Sequence, residues 1–110
     1  MAIHHAISGE AVDLRPLGEA LKDATTKALV KSETFEAVRL IVKAGKKIAE
    51  HKVPGAITLH CLEGQVRIGL PDRALNLSAG EWLYLDGNTI HSVTGLEDSS
   101  LLLTILFASD

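Results

Sequence analysis

Two histidines, His51 and His91, are the side chains of this sequence best placed to do chemistry. Each lies beside a turn: His51 precedes a Val-Pro-Gly turn in residues 45–64, and His91 follows an Asp-Gly-Asn turn in residues 78–93. An imidazole can bind a transition metal, transfer a proton or hydrogen-bond a ligand. These two segments are therefore the candidate functional part of the chain, provided that the fold brings them together.

The hydrophobic pattern predicts that short β-strands position both histidines. From residue 26 onward, apolar residues recur with a period of two, and turn residues interrupt them at short intervals. The predicted strands are residues 28–31, 35–43, 47–51, 57–62, 65–70, 74–77, 82–85, 91–94 and 101–107. Pro16 indicates a short helix or turn through about residue 24, and residues 11–14 are a candidate short strand. The prediction is an all-β antiparallel sandwich or barrel, with residues 1–25 as an N-terminal arm and residues 26–110 as a single barrel.

The glycines and histidines of the two segments resemble the paired motifs of the cupin superfamily. Gly45, His51 and Gly64 match the first motif, and Gly80 and His91 match the second. The resemblance covers about residues 43–107 and implies an antiparallel jelly-roll β-barrel, the cupin fold. In the metal-binding members of that superfamily, two histidines and a glutamate of the first motif and a histidine of the second converge inside the barrel.

The chain departs from the cupin motifs where those members keep metal ligands. Val53 stands at the second histidine position and Ile57 at the glutamate position. The family register, together with strand alternation, directs six side chains into the barrel and predicts that they line a cavity: His51, Val53, Ile57, Leu59, Cys61 and His91. His51 and His91 remain as matching ligands, so a divalent metal at this site (Zn, Ni, Fe or Mn) is expected to bind weakly.

Other polar and aromatic residues have simpler interpretations. His60 has the opposite strand parity from the cavity-lining residues and should face a sheet surface or a dimer interface. A lone strand cysteine such as Cys61 is usually a small buried hydrophobe, although a cavity position would also make it a soft ligand. Glu63 is expected to be solvated in a turn, and Trp82 with Tyr84 to pack at the barrel rim or against a partner.

Composition limits the functional classes. The chain has 110 residues, of which 46% are hydrophobic and 23% are charged, as expected for one globular domain with its own core. A net charge of −3 lacks the basic excess of a nucleic-acid-binding surface. The apolar runs fall short of the about 20 residues of a membrane helix, and a single cysteine suits a reducing compartment. A cytoplasmic protein with neither a nucleic-acid nor a membrane partner is expected, and the resemblance to small cupins implies a homodimer.

Three functions stay open at this point. The preferred interpretation is that the barrel binds a small organic ligand, with His51 and His91 at the polar end of the cavity. The second is a weakly metal-dependent enzyme of the oxygenase or isomerase type that uses the same two histidines. The third is a protein-interaction barrel without an occupied cavity. One barrel fold hosts many chemistries, so the residue pattern does not select a substrate.

Overall fold

The computed structural model describes residues 5–108, and nine β-strands in that range form two antiparallel sheets that face each other. The strands are β1 (Lys27–Lys31), β2 (Phe35–Val42), β3 (Lys47–His51), β4 (Ile57–Glu63), β5 (Gln65–Gly69), β6 (Ala74–Ser78), β7 (Trp82–Leu85), β8 (His91–Gly95) and β9 (Ser99–Leu106). One sheet has the order β1-β2-β9-β4-β7 and the other β3-β8-β5-β6, and a 3-10 helix spans Gly18–Asp23. Within residues 5–108, no helix is long and apolar enough to cross a membrane. The all-β prediction is confirmed.

The order in which the strands pair makes the barrel a jelly roll. β5 pairs with β6, β4 with β7, β3 with β8 and β2 with β9, so the partners are strands equally distant from the β5–β6 turn. This nested pairing is that of one long hairpin folded over into two sheets. It confirms the predicted antiparallel jelly roll and makes β3 and β8, which carry the two histidines, direct neighbours.

Strand alternation fills the space between the sheets. On β4, Ile57, Leu59 and Cys61 are at most 4% exposed, whereas Thr58 and His60 between them are partly exposed. Successive side chains of a strand point to opposite faces, so the first three face the opposing sheet and the other two face outward. The period-two pattern of the sequence thus determines which side chains reach the interior.

Gly64 forms the corner where the chain passes from the five-stranded sheet to the four-stranded one. Its φ of +84° lies in the left-handed region, which favours glycine. A Cβ atom at this position would lie 2.3 Å from the Ser99 Oγ and 2.4 Å from the Asp98 carbonyl oxygen. The glycine that matches the end of the first cupin motif is therefore required by backbone geometry and by lack of space.

The described part of the N-terminal arm, residues 5–25, crosses the outer face of the five-stranded sheet without forming a further strand, and residues 1–4 lie outside the described residues. Residues 11–14, a candidate strand from the sequence, have no regular secondary structure. The backbone beyond them is held by side chains: Arg39 donates from Nη2 to the Arg15 carbonyl oxygen at 2.8 Å, and the Leu17 N–H donates to the Glu63 carboxylate at 2.9 Å. These long-range contacts take the place of a strand ladder, which explains why the local pattern was misleading.

Candidate ligand-binding site

A cavity of about 150 Å³ lies between the two sheets at the end of the barrel where β3 and β8 carry their histidines. Strands β2, β3, β4, β8 and β9 contribute to its wall. Nine residues line it: Leu40, Ile48, His51, Val53, Ile57, Leu59, His91, Val93 and Leu103. Seven of these side chains are aliphatic, and the other two are imidazoles. The cavity is therefore an apolar space with one polar end.

His51 and His91 form that polar end as a directly paired couple. They are register partners across the β3–β8 pair, and their ring centroids are 4.4 Å apart with an interplanar angle of 54°. His91 is only 4% exposed, whereas His51 is exposed to solvent. One ring thus lies inside the barrel and the other lies toward the cavity mouth.

The hydrogen bonds of both rings determine which nitrogen carries the hydrogen. The Nδ1 of His51 lies 3.0 Å from the Ala49 carbonyl oxygen, and the Nδ1 of His91 lies 2.9 Å from the Thr89 carbonyl oxygen. A carbonyl oxygen can only accept, so Nδ1 is the donor and Nε2 of the neutral ring keeps its lone pair. Within residues 5–108, neither Nε2 atom has a hydrogen-bond partner. The site therefore presents two imidazole acceptors.

The structure brings five of the six residues expected in the cavity together there, and the exception is Cys61. Cys61 is fully buried, but it lies farther along β4, where its Sγ approaches the Glu63 and Gly64 carbonyl oxygens at 3.5 and 3.7 Å. Burial raises the pKa of this thiol. Cys61 is therefore not among the residues that line this cavity, which ends at Leu59, one inward position earlier on β4; it is a packed core residue.

Four lining residues were not predicted as part of the site. Leu40, Ile48, Val93 and Leu103 come from β2, β3, β8 and β9, and each continues the period-two pattern of its strand. The alternation of these strands was visible in the sequence. The pairing between distant strands, which places the four residues around one cavity, was not.

Glu63 is the polar residue that sequence reasoning misjudged most. It is not solvated: its side chain is 13% exposed, and its carboxylate accepts hydrogen bonds from the Leu17 N–H, the Gly18 N–H and the Ser100 hydroxyl, the last at 2.7 Å. Arg39 lies 3.4 Å away with its side chain 10% exposed. Burial by itself would raise the pKa of Glu63, but these hydrogen bonds and the Arg39 charge outweigh burial and lower it. This cluster anchors the N-terminal arm and does not line the cavity.

An uncharged patch covers part of the outer face of the five-stranded sheet. His60 pairs with Trp82 on β7 and with Leu102 on β9, and Trp82 and Tyr84 are 61% and 51% exposed. The outer-sheet patch consists of six neighbouring residues: Thr58, His60, Trp82, Tyr84, Leu102 and Thr104. His60 faces away from the cavity, as its strand parity predicted.

Comparisons with known proteins bear on the fold. Neither a protein-family model nor a curated protein sequence matches the chain. Among solved structures, a conserved protein of unknown function from Streptococcus pyogenes matches 100% of this chain and 97% of its own, with a TM-score of 0.79 and 16% identity. A cupin superfamily protein from Desulfitobacterium hafniense matches 90% of this chain and 100% of its own, with a TM-score of 0.75 and 16% identity. The chain has a cupin fold.

A third solved structure, the RmlC-like cupin protein from Desulfovibrio desulfuricans, agrees with this fold assignment. It matches 96% of each chain, with a TM-score of 0.68 and 24% identity. The similar structures are cupin-fold proteins of unknown or varied function, so the likeness establishes the architecture. The function of this protein has to be argued from its own site.

The donor set of this chain does not fit the metal of the metal-binding cupins. Val53 and Ile57, which stand at two of the ligand positions, do line the cavity, but their side chains have no donor atom. Within residues 5–108, no group of three or more His, Cys, Asp or Glu side chains is placed to hold a metal ion. Two imidazole nitrogens remain, against the three or four protein ligands of ordinary zinc sites. No chemical step is therefore assigned to a metal.

Proposed function

We propose that this cupin binds a small organic molecule in the cavity between its sheets, with the His51–His91 pair at the molecule's polar group. The supporting observation is the combination of an apolar cavity with two imidazole Nε2 atoms that have no partner within residues 5–108. Ligand sites of this kind are mostly apolar and carry a few convergent polar groups.

The volume of the cavity limits the size and the affinity of the ligand. A volume of about 150 Å³ is that of an apolar cavity able to hold a benzene-sized molecule. Burying about six carbon groups contributes roughly 5 kcal/mol at about 0.8 kcal/mol each. The loss of translational and rotational freedom on association offsets a large part of that energy. Dissociation constants in the millimolar range are therefore expected, and the ligand body has about six or seven non-hydrogen atoms.

A screen by differential scanning fluorimetry and titration calorimetry tests this proposal. The screen uses small neutral and acidic compounds of five to eight non-hydrogen atoms, since a ligand of the folded state raises the unfolding temperature by mass action. The variant Val53→Phe fills the cavity from its wall and is expected to abolish the shift. Leu96→Phe adds the same ring at a position that is 42% exposed and is expected to leave the shift unchanged. If no compound binds, or if Val53→Phe binds as well as the wild type, the proposal is wrong.

The same preparation distinguishes the two alternative functions. Metal analysis of the tag-free protein tests the metal-dependent enzyme. About one metal ion per chain that is lost in His51→Ala and retained in His60→Ala would favour that function over the proposed one. A protein that binds neither metal nor any compound of the screen would be left as an interaction barrel. Substituting His60 is the matched control, because it removes an imidazole from the opposite face of β4.

We also propose that a second copy of the chain covers the outer-sheet patch and makes the protein a homodimer. The patch carries two exposed aromatic side chains and no carboxylate, ammonium or guanidinium group. A two-fold axis through such a face places these uncharged side chains against one another, with the Asp86 carboxylate, which accepts from the Tyr84 hydroxyl at 2.7 Å, beside them. Light scattering coupled to size exclusion tests the proposal, and a monomer at micromolar concentration would overturn it.

A further inference from the structure

Resting on the proposed function, we propose that the cavity selects ligands that present a hydroxyl group, and that the His91 Nε2 accepts the hydroxyl hydrogen bond. The ligand class is a compact, largely apolar alcohol or phenol. The inference follows from which polar atoms of the site are already used and which are not.

The lining side chains offer hydrogen-bond acceptors and no free donor. The Ala49 and Thr89 carbonyl oxygens take the Nδ1 hydrogens of the two rings, which leaves each Nε2 as an acceptor in the neutral imidazole. The remaining seven lining side chains are aliphatic. A ligand hydroxyl supplies the missing donor, whereas a ketone or an ether brings a further acceptor that these side chains cannot satisfy.

The two histidines are not equivalent in this role. His51 is exposed, so water at the mouth can donate to its Nε2. His91 is 4% exposed, so a ligand that fills the cavity removes water from its Nε2. A buried acceptor left without a partner is unfavourable. His91 therefore sets the preference for a hydroxyl, and His51 contributes less.

The same lining disfavours ionised ligands. No Asp, Glu, Lys or Arg is among the cavity residues in the described part of the chain. An ammonium group would leave water without an anionic partner, and a carboxylate would meet two imidazoles that carry no charge in the neutral form; both are strongly unfavourable in an apolar environment. A neutral hydroxyl avoids that cost and needs one acceptor, which His91 provides.

Titration calorimetry with two matched ligand pairs tests the inference. Phenol and toluene have the same number of non-hydrogen atoms and differ in one group, as do cyclohexanol and cyclohexanone. The full-length protein is expected to bind the hydroxyl member of each pair about tenfold more tightly. His91→Leu should bring both ratios close to one, and His60→Leu should leave them unchanged.

A measurement on the unmodified protein covers the case in which His91→Leu does not fold. The ¹⁵N chemical shift of the His91 Nε2 is expected to move on adding phenol and to stay in place on adding toluene. Equal affinities within each pair, or an unmoved His91 signal at saturating phenol, would overturn the inference while leaving the proposed function standing. If none of the four compounds binds and the wider screen is also negative, both the inference and the proposed function are wrong.

Discussion

Replacing Glu63 with glutamine is expected to destabilise the barrel by about 3 kcal/mol. The amide keeps the size of the carboxylate, but it has one acceptor oxygen where the carboxylate uses two. Oε1 accepts from the Leu17 and Gly18 N–H groups, and Oε2 accepts from the Ser100 hydroxyl and from Arg39. Whichever way the amide turns, its NH₂ group faces donors and Arg39 loses its counter-charge.

The expected loss of stability follows from the burial of Glu63 and Arg39 and from the distance between them. Breaking a buried ion pair by removing one partner costs about 3–5 kcal/mol. The two side chains are 10% and 13% exposed, which places the pair in that class, but the separation of 3.4 Å is long and indicates the lower end of the range. In a domain of this size, a loss of about 3 kcal/mol lowers the unfolding temperature by more than about 10 °C.

Urea denaturation at neutral pH measures the effect, with Glu33→Gln as the control. Glu33 is exposed in the turn between β1 and β2, and its substitution should change the free energy of unfolding by less than about 0.5 kcal/mol. If the two variants unfold within about 0.5 kcal/mol of each other, the buried cluster contributes nothing and the reasoning is wrong.

The stability difference between wild type and Glu63→Gln is also expected to depend on pH. The pKa of Glu63 lies below its ordinary value of 4.5, because hydrogen bonds to the carboxylate outweigh the effect of burial. A group whose pKa is lower in the folded state adds stability above its unfolded pKa and loses it as the pH falls through the folded value. The difference should therefore be complete at neutral pH and shrink below pH 4.5. Asp13, whose pKa is lowered to about 2 by its hydrogen bonds with Arg15, titrates in both proteins and cancels.

Three further predictions follow from single features. Gly64→Ala should destabilise the protein by about 2 kcal/mol or more relative to Gly9→Ala, as measured by urea denaturation of the two variants. Both glycines have a positive φ, but only Gly64 has no room for a Cβ atom. Trp82→Ser should shift the sizing profile from dimer toward monomer, and Leu96→Ser, at a turn outside the outer-sheet patch, should not. Cys61 should react with a thiol reagent no faster than the protein unfolds, because it is buried and its pKa is raised; fast reaction in the native state would contradict its placement.

The sequence predicted the parts of this molecule that depend on local pattern. The alternation of apolar residues predicted the strands closely, and the predicted bounds of β3 and β7 are those observed. Val53 and Ile57, at the positions of two metal ligands, predicted that the cavity beside the histidines is apolar. What failed depends on contacts between distant segments. The solvated position predicted for Glu63 is wrong because its partners Leu17 and Gly18 lie more than 40 positions away, where a local pattern carries no information about them.

The extent of the cavity along β4 and the tautomers of the rings were also beyond sequence reasoning. Strand parity directs Cys61 inward correctly but does not tell where along β4 the cavity ends. The Nδ1 hydrogen bonds of His51 and His91 go to the backbone two residues away, and they depend on ring orientation, which no residue pattern encodes.

The nested strand pairing has a consequence for how the chain folds. Gly69 and Ala74 of the β5–β6 pair are five positions apart, whereas Phe35 and Leu106 of the β2–β9 pair are 71 positions apart. Closing the larger loop first would cost about 2 kcal/mol more chain entropy than closing the smaller one. Once β5 and β6 have paired, each outer pair extends an existing ladder and closes a shorter remaining loop. The barrel is therefore expected to assemble from that hairpin outward, at the slow rate typical of high contact order, with β3 and β8 bringing the two histidines together before the outermost strands pair.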